Sequence, residues 1–197
     1  MAASKVKYGL SNVHYCLITE TTTNGVTTTT YGTVKAIPGA VNLSLSPSAS
    51  KSVFRADNSD YYISYGQGGF EGDLEIARVP DDFKTDVLGY KEDDNKILVQ
   101  DSASFSTVTY FAFLFEFEGD ARKQKFAFYK CSASHPNIAS QTTGENGQID
   151  PQTDTMTITS VPRADADKLI HCHTQETSDA DVVAAWYTNV YVPEFTP

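Results

Sequence analysis

The sequence is poor in the features that mark secreted or membrane-spanning proteins. Its 197 residues include three cysteines, Cys16, Cys131 and Cys172, an odd and widely spaced set that does not fit a disulfide framework. No apolar run is long enough to cross a bilayer, and the N-terminal segment lacks the apolar core of a signal peptide. We therefore expect a protein that is made in a reducing cytoplasm.

Positive charge is also scarce. The chain has 15 Lys and Arg residues against 25 Asp and Glu residues, which gives a formal net charge of −10. Proteins that hold nucleic acid tightly neutralise its phosphates with Lys and Arg, so this composition argues against a nucleic-acid-binding function. An acidic surface instead keeps a protein from adhering to nucleic acid.

What the chain does have is alternation of apolar and polar residues with a period of two, which is typical of half-buried β-strands. A turn at Thr23–Gly25 predicts one hairpin, and the segment 109–131, with a turn at 118–121, predicts the clearest one. One face of the latter's first strand carries Phe111, Phe113, Phe115 and Phe117, and the other carries Ala112, Leu114, Glu116 and Glu118.

Two segments show helical signals. Pro80, followed by two aspartates and closed by Gly89, predicts a helix at about 80–89, and Ser178 with Asp181 resembles a capping box at the start of a helix at about 179–190. The sequence therefore predicts a single mainly β domain over residues 1–197. We expect an antiparallel β-sandwich or partial barrel with these two helices and with long polar segments at about 44–72 and 132–152.

The glycine cluster of Gly66, Gly68, Gly69 and Gly72 could suggest a phosphate-binding loop. Such a loop needs a helix directly after it, and here the next residues alternate as a strand that carries carboxylates. We interpret the cluster as a turn or bulge in which glycine supplies positive φ angles.

Catalytic and metal sites find little support. His171 and His173 share one face of a predicted strand, but a zinc site needs further ligands and none is suggested. No nucleophile has a partner base at a recognisable spacing. We expect neither an enzyme nor a cofactor-binding protein.

Five segments occur in an informative order. They are KYGLSNVHYCLITE, AIPGAVNLSLSP, ADNSDYYISYGQGGFEGDLEIARVPDDFKTDVLG, FAFLFEFEGDARKQKFAFYKCSASHP and IDPQTDTMTITSVPR. Together they resemble the major tail proteins of long, flexible-tailed phages (siphoviruses) of Gram-positive bacteria. The resemblance covers about residues 5–191, and its most specific part is Ala56–Gly89.

The resemblance implies a structural, non-enzymatic tail-tube subunit without cofactors. Such β-sandwich proteins form stacked, typically hexameric rings, and DNA passes through the resulting tube into the host. The implied partners are other copies of the chain, a tape-measure protein, and terminator and tail-tip proteins. The resemblance implies no interaction with a membrane. The implied location is the virion tail, assembled in the host cytoplasm, and we expect no C-terminal immunoglobulin-like domain.

Candidate site residues follow from the polar strand faces and the polar segments. An acidic or neutral wall would let DNA slide without binding. Candidate lumen-facing residues are Asn42, Ser44, Asp73, Glu75, Glu116, Glu118, Thr155, Thr157 and Thr159. Residues 44–72 are expected to form an arm that reaches a neighbouring subunit, with Ser46, Phe54, Asp57, Tyr61, Tyr62 and Tyr65 as its contact residues.

Two alternatives remain open from the residues alone. One is a carbohydrate- or receptor-binding β-sandwich module of a phage tail tip or a cell surface. The other is a ring-forming tube of a secretion or contractile system.

Overall fold

The protein is mainly β, with two short helices. The structure, a computed structural model, describes residues 6, 8–66, 68–119, 124–144, 147 and 149–195. The strands are β1 (Leu10–Thr23), β2 (Val26–Ala36), β3 (Ala40–Pro47), β4 (Lys51–Ala56), β5 (Ser59–Tyr65), β6 (Phe70–Ile76), β7 (Lys91–Glu92), β8 (Leu98–Val99), β9 (Phe111–Phe117), β10 (Lys125–Ala133), β11 (Asp154–Ser160) and β12 (His171–His173), and the helices are α1 (Asp81–Asp86) and α2 (Ala180–Ala184).

One antiparallel sheet of eight strands dominates the fold. Its order is β2-β1-β9-β10-β11-β6-β3, with β12 added to β10. The sheet curls so that β1 approaches β3, and the Ile37 amide donates a 2.7 Å hydrogen bond to the Val13 carbonyl where the chain passes between the two edges. The predicted fold class, an antiparallel β-sandwich or partial barrel, is confirmed.

Alternate residues of β9 enter two separate apolar clusters, one on each face of the sheet. Phe111 and Phe113 lie in the main core, together with Phe83, Val87 and Leu88 from α1 and the residues that follow it. The smaller cluster lies on what we call the outer face, where α2 and the residues after it cover part of the sheet. Its buried members are Cys16, Ala112, Leu114, Ala127, Tyr129, Trp186 and Val190.

The first predicted hairpin is confirmed. Asn24 and Gly25 have φ values of 52° and 78°, and Thr23 pairs with Val26 across them. This turn with two positive φ angles matches the right-handed twist of the strands that it joins. The second hairpin is formed by β9 and β10, and half of its predicted turn, residues 120 and 121 of 118–121, lies outside the described residues.

Both helices are shorter than predicted. Helix α1 has Asp81 and Asp82 in its first turn, as expected, and Gly89 beyond it has a φ of 71°. Helix α2 is capped by Asp179, whose side chain accepts bonds from the Asp181 and Val182 amides, so the prediction that Ser178 caps it is wrong.

The predicted extension of α2 to residue 190 is also wrong. The chain tightens after Ala185, where the Thr188 amide donates a 2.8 Å bond to the Ala185 carbonyl. This turn brings Trp186 and Val190 onto the sheet, where both are buried. Burial of these two side chains, and not the helical spacing of apolar residues in the sequence, therefore determines the path of the chain after Ala185.

Candidate functional site

Three neighbouring strands, β3, β6 and β11, present their polar side chains in register on the outer face of the sheet. We call these cross-strand sets the polar rows. The rows are Asn42–Glu75–Thr155, Ser44–Asp73–Thr157 and Ser46–Glu71–Thr159. Side chains directly opposite on neighbouring strands lie close enough to interact, so three polar faces that are far apart in the sequence form one surface.

The polar rows carry negative charge without a basic residue among them. Thr157 Oγ1 donates a 3.0 Å hydrogen bond to Asp73 Oδ1, and Thr153 Oγ1 donates a 2.5 Å bond to Glu75 Oε1. These bonds orient two of the three carboxylates, while Glu71 and Asp73 remain exposed to solvent. The polar rows therefore place negatively charged carboxylates on the outer face of the sheet.

The opposite side of the same strands secures the orientation of the polar rows. Leu74, Ile76, Met156 and Ile158 are completely buried in the main core. A slip of one residue in register would expose these side chains and bury the carboxylates, and each buried aliphatic side chain is worth about 1.5–3 kcal/mol. The polar rows therefore face outward as a consequence of core packing.

Helix α2 covers only one part of the outer face. It lies over β1, β9 and β10, whereas the residues of the polar rows are exposed or half-buried. The sequence predicted seven members of the rows as lumen-facing candidates, and the structure brings all seven together. It adds Glu71 and Ser46 to them. Ser46 was predicted as an arm residue, and this is corrected by its position within β3.

Glu116 does not belong to this surface, and its prediction as an exposed, lumen-facing carboxylate is wrong. It is 2% exposed and accepts hydrogen bonds of 2.6 Å from Asn12 Nδ2 and 3.0 Å from the Tyr187 hydroxyl. Ala112 and Leu114 share its strand face, and these apolar neighbours were the signal that this face is covered. Glu118 is exposed but lies beyond the end of β9, outside the polar rows.

The chain after α2 is attached to the sheet around Glu116. Burial, followed by the charge of Glu116 and the bond to it, raises the pKa of Tyr187 above its ordinary value. Lys125 lies over the Tyr187 ring at 4.9 Å and donates a 2.8 Å bond to the Val183 carbonyl, and His14 stacks on the same ring at 4.6 Å. These contacts hold the C-terminal segment beside the polar rows.

A second surface is the hairpin of β4 and β5, which we call the arm. It pairs only with itself, and its tip turns at Asp57 and Asn58, which have φ values of 51° and 60°. Arg55 and Asp60 form an ion pair of 3.0 Å near the tip. Large apolar side chains cover the arm and are all exposed, namely Val53, Phe54, Tyr61, Tyr62, Ile63 and Tyr65.

The glycines at the base of the arm serve close backbone packing. Their predicted positive φ angles are wrong, since none of Gly66, Gly68, Gly69 and Gly72 has one. A Cβ on Gly72 would collide with the Ser44 carbonyl oxygen, and one on Gly69 with the Ser160 carbonyl oxygen. The cluster leads directly into β6 and not into a helix, so it lacks the geometry of a phosphate loop.

The two histidines of β12 lie against aromatic rings. His171 stacks on Phe128 at 5.0 Å, and His173 lies 5.5 Å from the Phe126 ring. Within the part of the chain that the structure describes, no three His, Cys, Asp or Glu side chains are placed to hold a metal ion. Neither described helix is long and apolar enough to cross a membrane.

No protein-family model matches the chain, and no curated protein matches it. Inference about its function therefore depends on the polar rows, the arm and the sequence motifs.

Proposed function

We propose that the chain is the subunit of a phage tail tube, in which copies associate into rings with the polar rows facing the bore. The observation that carries this proposal is the set of polar rows, a register-aligned surface with three carboxylates that the subunit itself leaves uncovered. Such a wall repels the phosphates of DNA, so that DNA slides through without binding.

The edges of the sheet support lateral association. Strands β2 and β3 lie at the two ends of the main path of the large sheet, and each pairs on one side only. Free edges offer unpaired N–H and C=O groups to a neighbouring chain. Joining the β3 edge of each copy to a neighbour would extend the polar rows around a ring, as the inner wall of a large barrel requires.

The proposal also accounts for the exposed arm. An apolar, solvent-exposed hairpin is an interaction surface, and identical chains that associate head to tail form closed rings or open stacks. The same proposal makes a tape-measure protein and the terminator and tail-tip proteins the partners, and the virion tail, assembled in the host cytoplasm, the location.

Electron microscopy of the purified chain tests this function. Negative staining over a series of increasing concentrations should show rings and then hollow tubes. A cryo-EM map of such tubes should place Glu71, Asp73 and Glu75 on the inner wall. A monomer at every concentration that binds an immobilised glycan would contradict the proposal and favour a carbohydrate-binding module.

A further inference from the structure

The main core is open on one side, where it forms a groove lined mainly by phenylalanine. The groove has a volume of about 410 Å³ and opens between the edge strand β3 and strands β9 and β10. We call it the phenylalanine groove. Its lining includes Leu43, Leu45, Phe70, Phe117, Phe126 and His171.

The groove has the character of a binding site for apolar side chains. Phe117 and Phe126 pack edge to face at 5.3 Å, and Phe70 lies 5.1 Å from the ring of His171. Phe70, Phe117 and Phe126 are only partly buried, so the subunit leaves part of their area in water. The volume lies in the range of sites that enclose several rings. Filling the groove would remove this area from water.

The arm exposes large apolar side chains of the kind that could fill such a groove. Tyr61 is 72% exposed, Tyr65 is 71% exposed and Phe54 is 61% exposed. A lone two-stranded hairpin is at best marginally stable in water, and Tyr and Phe are enriched in the buried centres of interfaces. The arm therefore needs a surface to cover it, and the groove needs side chains to fill it.

We propose that the arm of one copy binds in the phenylalanine groove of another copy. This contact adds detail to the proposed function, and it rests on that function for the identification of the assembly as a tail tube. Every copy carries one arm and one groove, and the exposed β3 edge beside the groove can pair with an added strand while alternate side chains enter the groove.

The path of the arm favours a second copy over its own groove. The Ser48 amide donates to the Gly69 carbonyl at 3.0 Å, and the Gly66 amide donates to the Ser50 carbonyl at 2.8 Å. These bonds continue the ladder of β3 and β6 into the arm, whose six-residue strand β4 has a length of about 20 Å. Folding back onto the groove would break this ladder.

An arm in the groove of the next copy is a contact between two different patches. Such a contact leaves a free arm at one end and a free groove at the other, so further copies can add until a ring closes or an open stack forms. In a tail tube this contact would join neighbouring copies at the β3 edge, the same edge that extends the polar rows around the ring.

Two complementary variants of the full chain test the proposal. The arm variant carries Tyr61→Ser and Tyr62→Ser, and the groove variant carries Leu43→Gln and Leu45→Gln. Each variant alone should associate at least about 30-fold more weakly than the wild type, since aromatic anchors dominate interfaces. When the two variants are mixed at equal concentrations, they should form a complex with twice the mass of either variant alone, as measured by analytical ultracentrifugation. This complex should not grow further.

Other outcomes of this experiment overturn the inference. If the arm variant forms tubes as readily as the wild type, the arm–groove contact is wrong and the tail-tube function stands. If both variants have the circular dichroism of the wild type and their mixture does not double in mass, the contact is also wrong. Failure of the wild type to form rings or tubes contradicts the proposed function, and the doubling test still decides the contact.

A photo-crosslinking experiment keeps the groove residues unchanged. A benzophenone amino acid replaces Tyr62, and the chain is mixed with ¹⁵N-labelled wild type before irradiation. Cross-links should join the arm to labelled peptides that contain Leu45, Phe117 or Phe126. Cross-links within one chain, or to the labelled peptide of β11 that contains Thr155, Thr157 and Thr159, would overturn the proposal.

Discussion

The hydroxyl of Tyr187 donates a 3.0 Å hydrogen bond to the carboxylate of Glu116, a residue that is 2% exposed. Since burial and the neighbouring carboxylate raise the pKa of Tyr187, its hydroxyl keeps its proton and remains a donor at neutral pH. The bond holds the segment after α2 over the part of the outer face next to the polar rows. The contribution of this residue pair to the stability of the protein can therefore be measured.

Replacing Tyr187 with Phe should lower the free energy of unfolding by about 1–3 kcal/mol, because the buried Glu116 loses a hydrogen-bond donor. Urea denaturation measures the change. The control is Tyr191→Phe, since Tyr191 stacks on Trp186 at 6.0 Å but is 38% exposed. We expect the control to change stability by less than about 0.5 kcal/mol. Equal losses in both variants would contradict a specific role for the bond to Glu116.

The charge of the polar rows predicts an effect on DNA. Glu71→Lys should permit assembly but make the tubes retain duplex DNA and slow its ejection, more strongly at low salt, because the side chain is exposed and the added cations attract phosphates. Retention by assembled tubes and ejection from phage particles are the measurements. Glu116 is unsuitable for this test because it is buried.

The matched control for Glu71→Lys is Asp94→Lys. Asp94 is an exposed residue in the turn between β7 and β8 and is not a member of the polar rows, and the substitution makes the same change in net charge. DNA retention should stay at the wild-type level in this control. An equal increase in both variants would show that net charge, and not the position in the rows, determines the effect.

The close packing of Gly72 predicts that Gly72→Ala destabilises the fold. The new methyl group would meet the Ser44 carbonyl oxygen of the neighbouring strand, and forced overpacking typically costs about 1–3 kcal/mol or more. Gly66→Ala is the control, because its methyl group would meet mainly the Ser50 hydroxyl, a side chain that can rotate away. Thermal unfolding should show a clear decrease for the first variant and little change for the second. Equal melting temperatures would refute the packing explanation.

Acid should weaken the fold through His171. His171 is a solvent-exposed residue, but its ring lies against Phe70 and Phe128, and this partial desolvation, followed by the charge of His173, lowers the pKa of His171 from its ordinary value of 6.5. The unfolded chain therefore takes up a proton near pH 6.5 while the native chain does not, so stability decreases as the pH falls from that value to the native pKa. Urea midpoints at about pH 7.5 and about pH 5 measure this loss, which His171→Gln should reduce. An unchanged pH dependence in the variant would exclude His171 as a source.

Period-two alternation predicted the strands of the eight-stranded sheet well, because a strand's two faces are visible in its own residues. Leu74 and Ile76 are buried and Asp73 is exposed, as their alternation indicated. The length of α2 was predicted poorly. Trp186 and Val190 recur at helical spacing, but their burial against the sheet outweighs the weak helix propensity of this segment.

The candidate site was predicted residue by residue, but its assembly was not. The sequence identified seven polar side chains on three segments, and nothing local could show that those segments are neighbours. Glu116 was predicted wrongly because alternation identifies which residues share a face and does not identify which face is covered. The glycines were recognised as necessary for the turn, but the reason, contact with Ser44 and Ser160, depends on strands far away in the chain.

The sequence by itself determined the strands, the two sides of each strand and the acidic character of the surface, since these are properties of neighbouring residues and of composition. The tertiary structure decided which polar sides form one surface. The bond between Asp73 and Thr157 joins residues 84 positions apart, and such pairings depend on the packing of the whole core. It also decided that Glu116 is buried and that the arm and the phenylalanine groove remain uncovered, because coverage is a property of the packed chain.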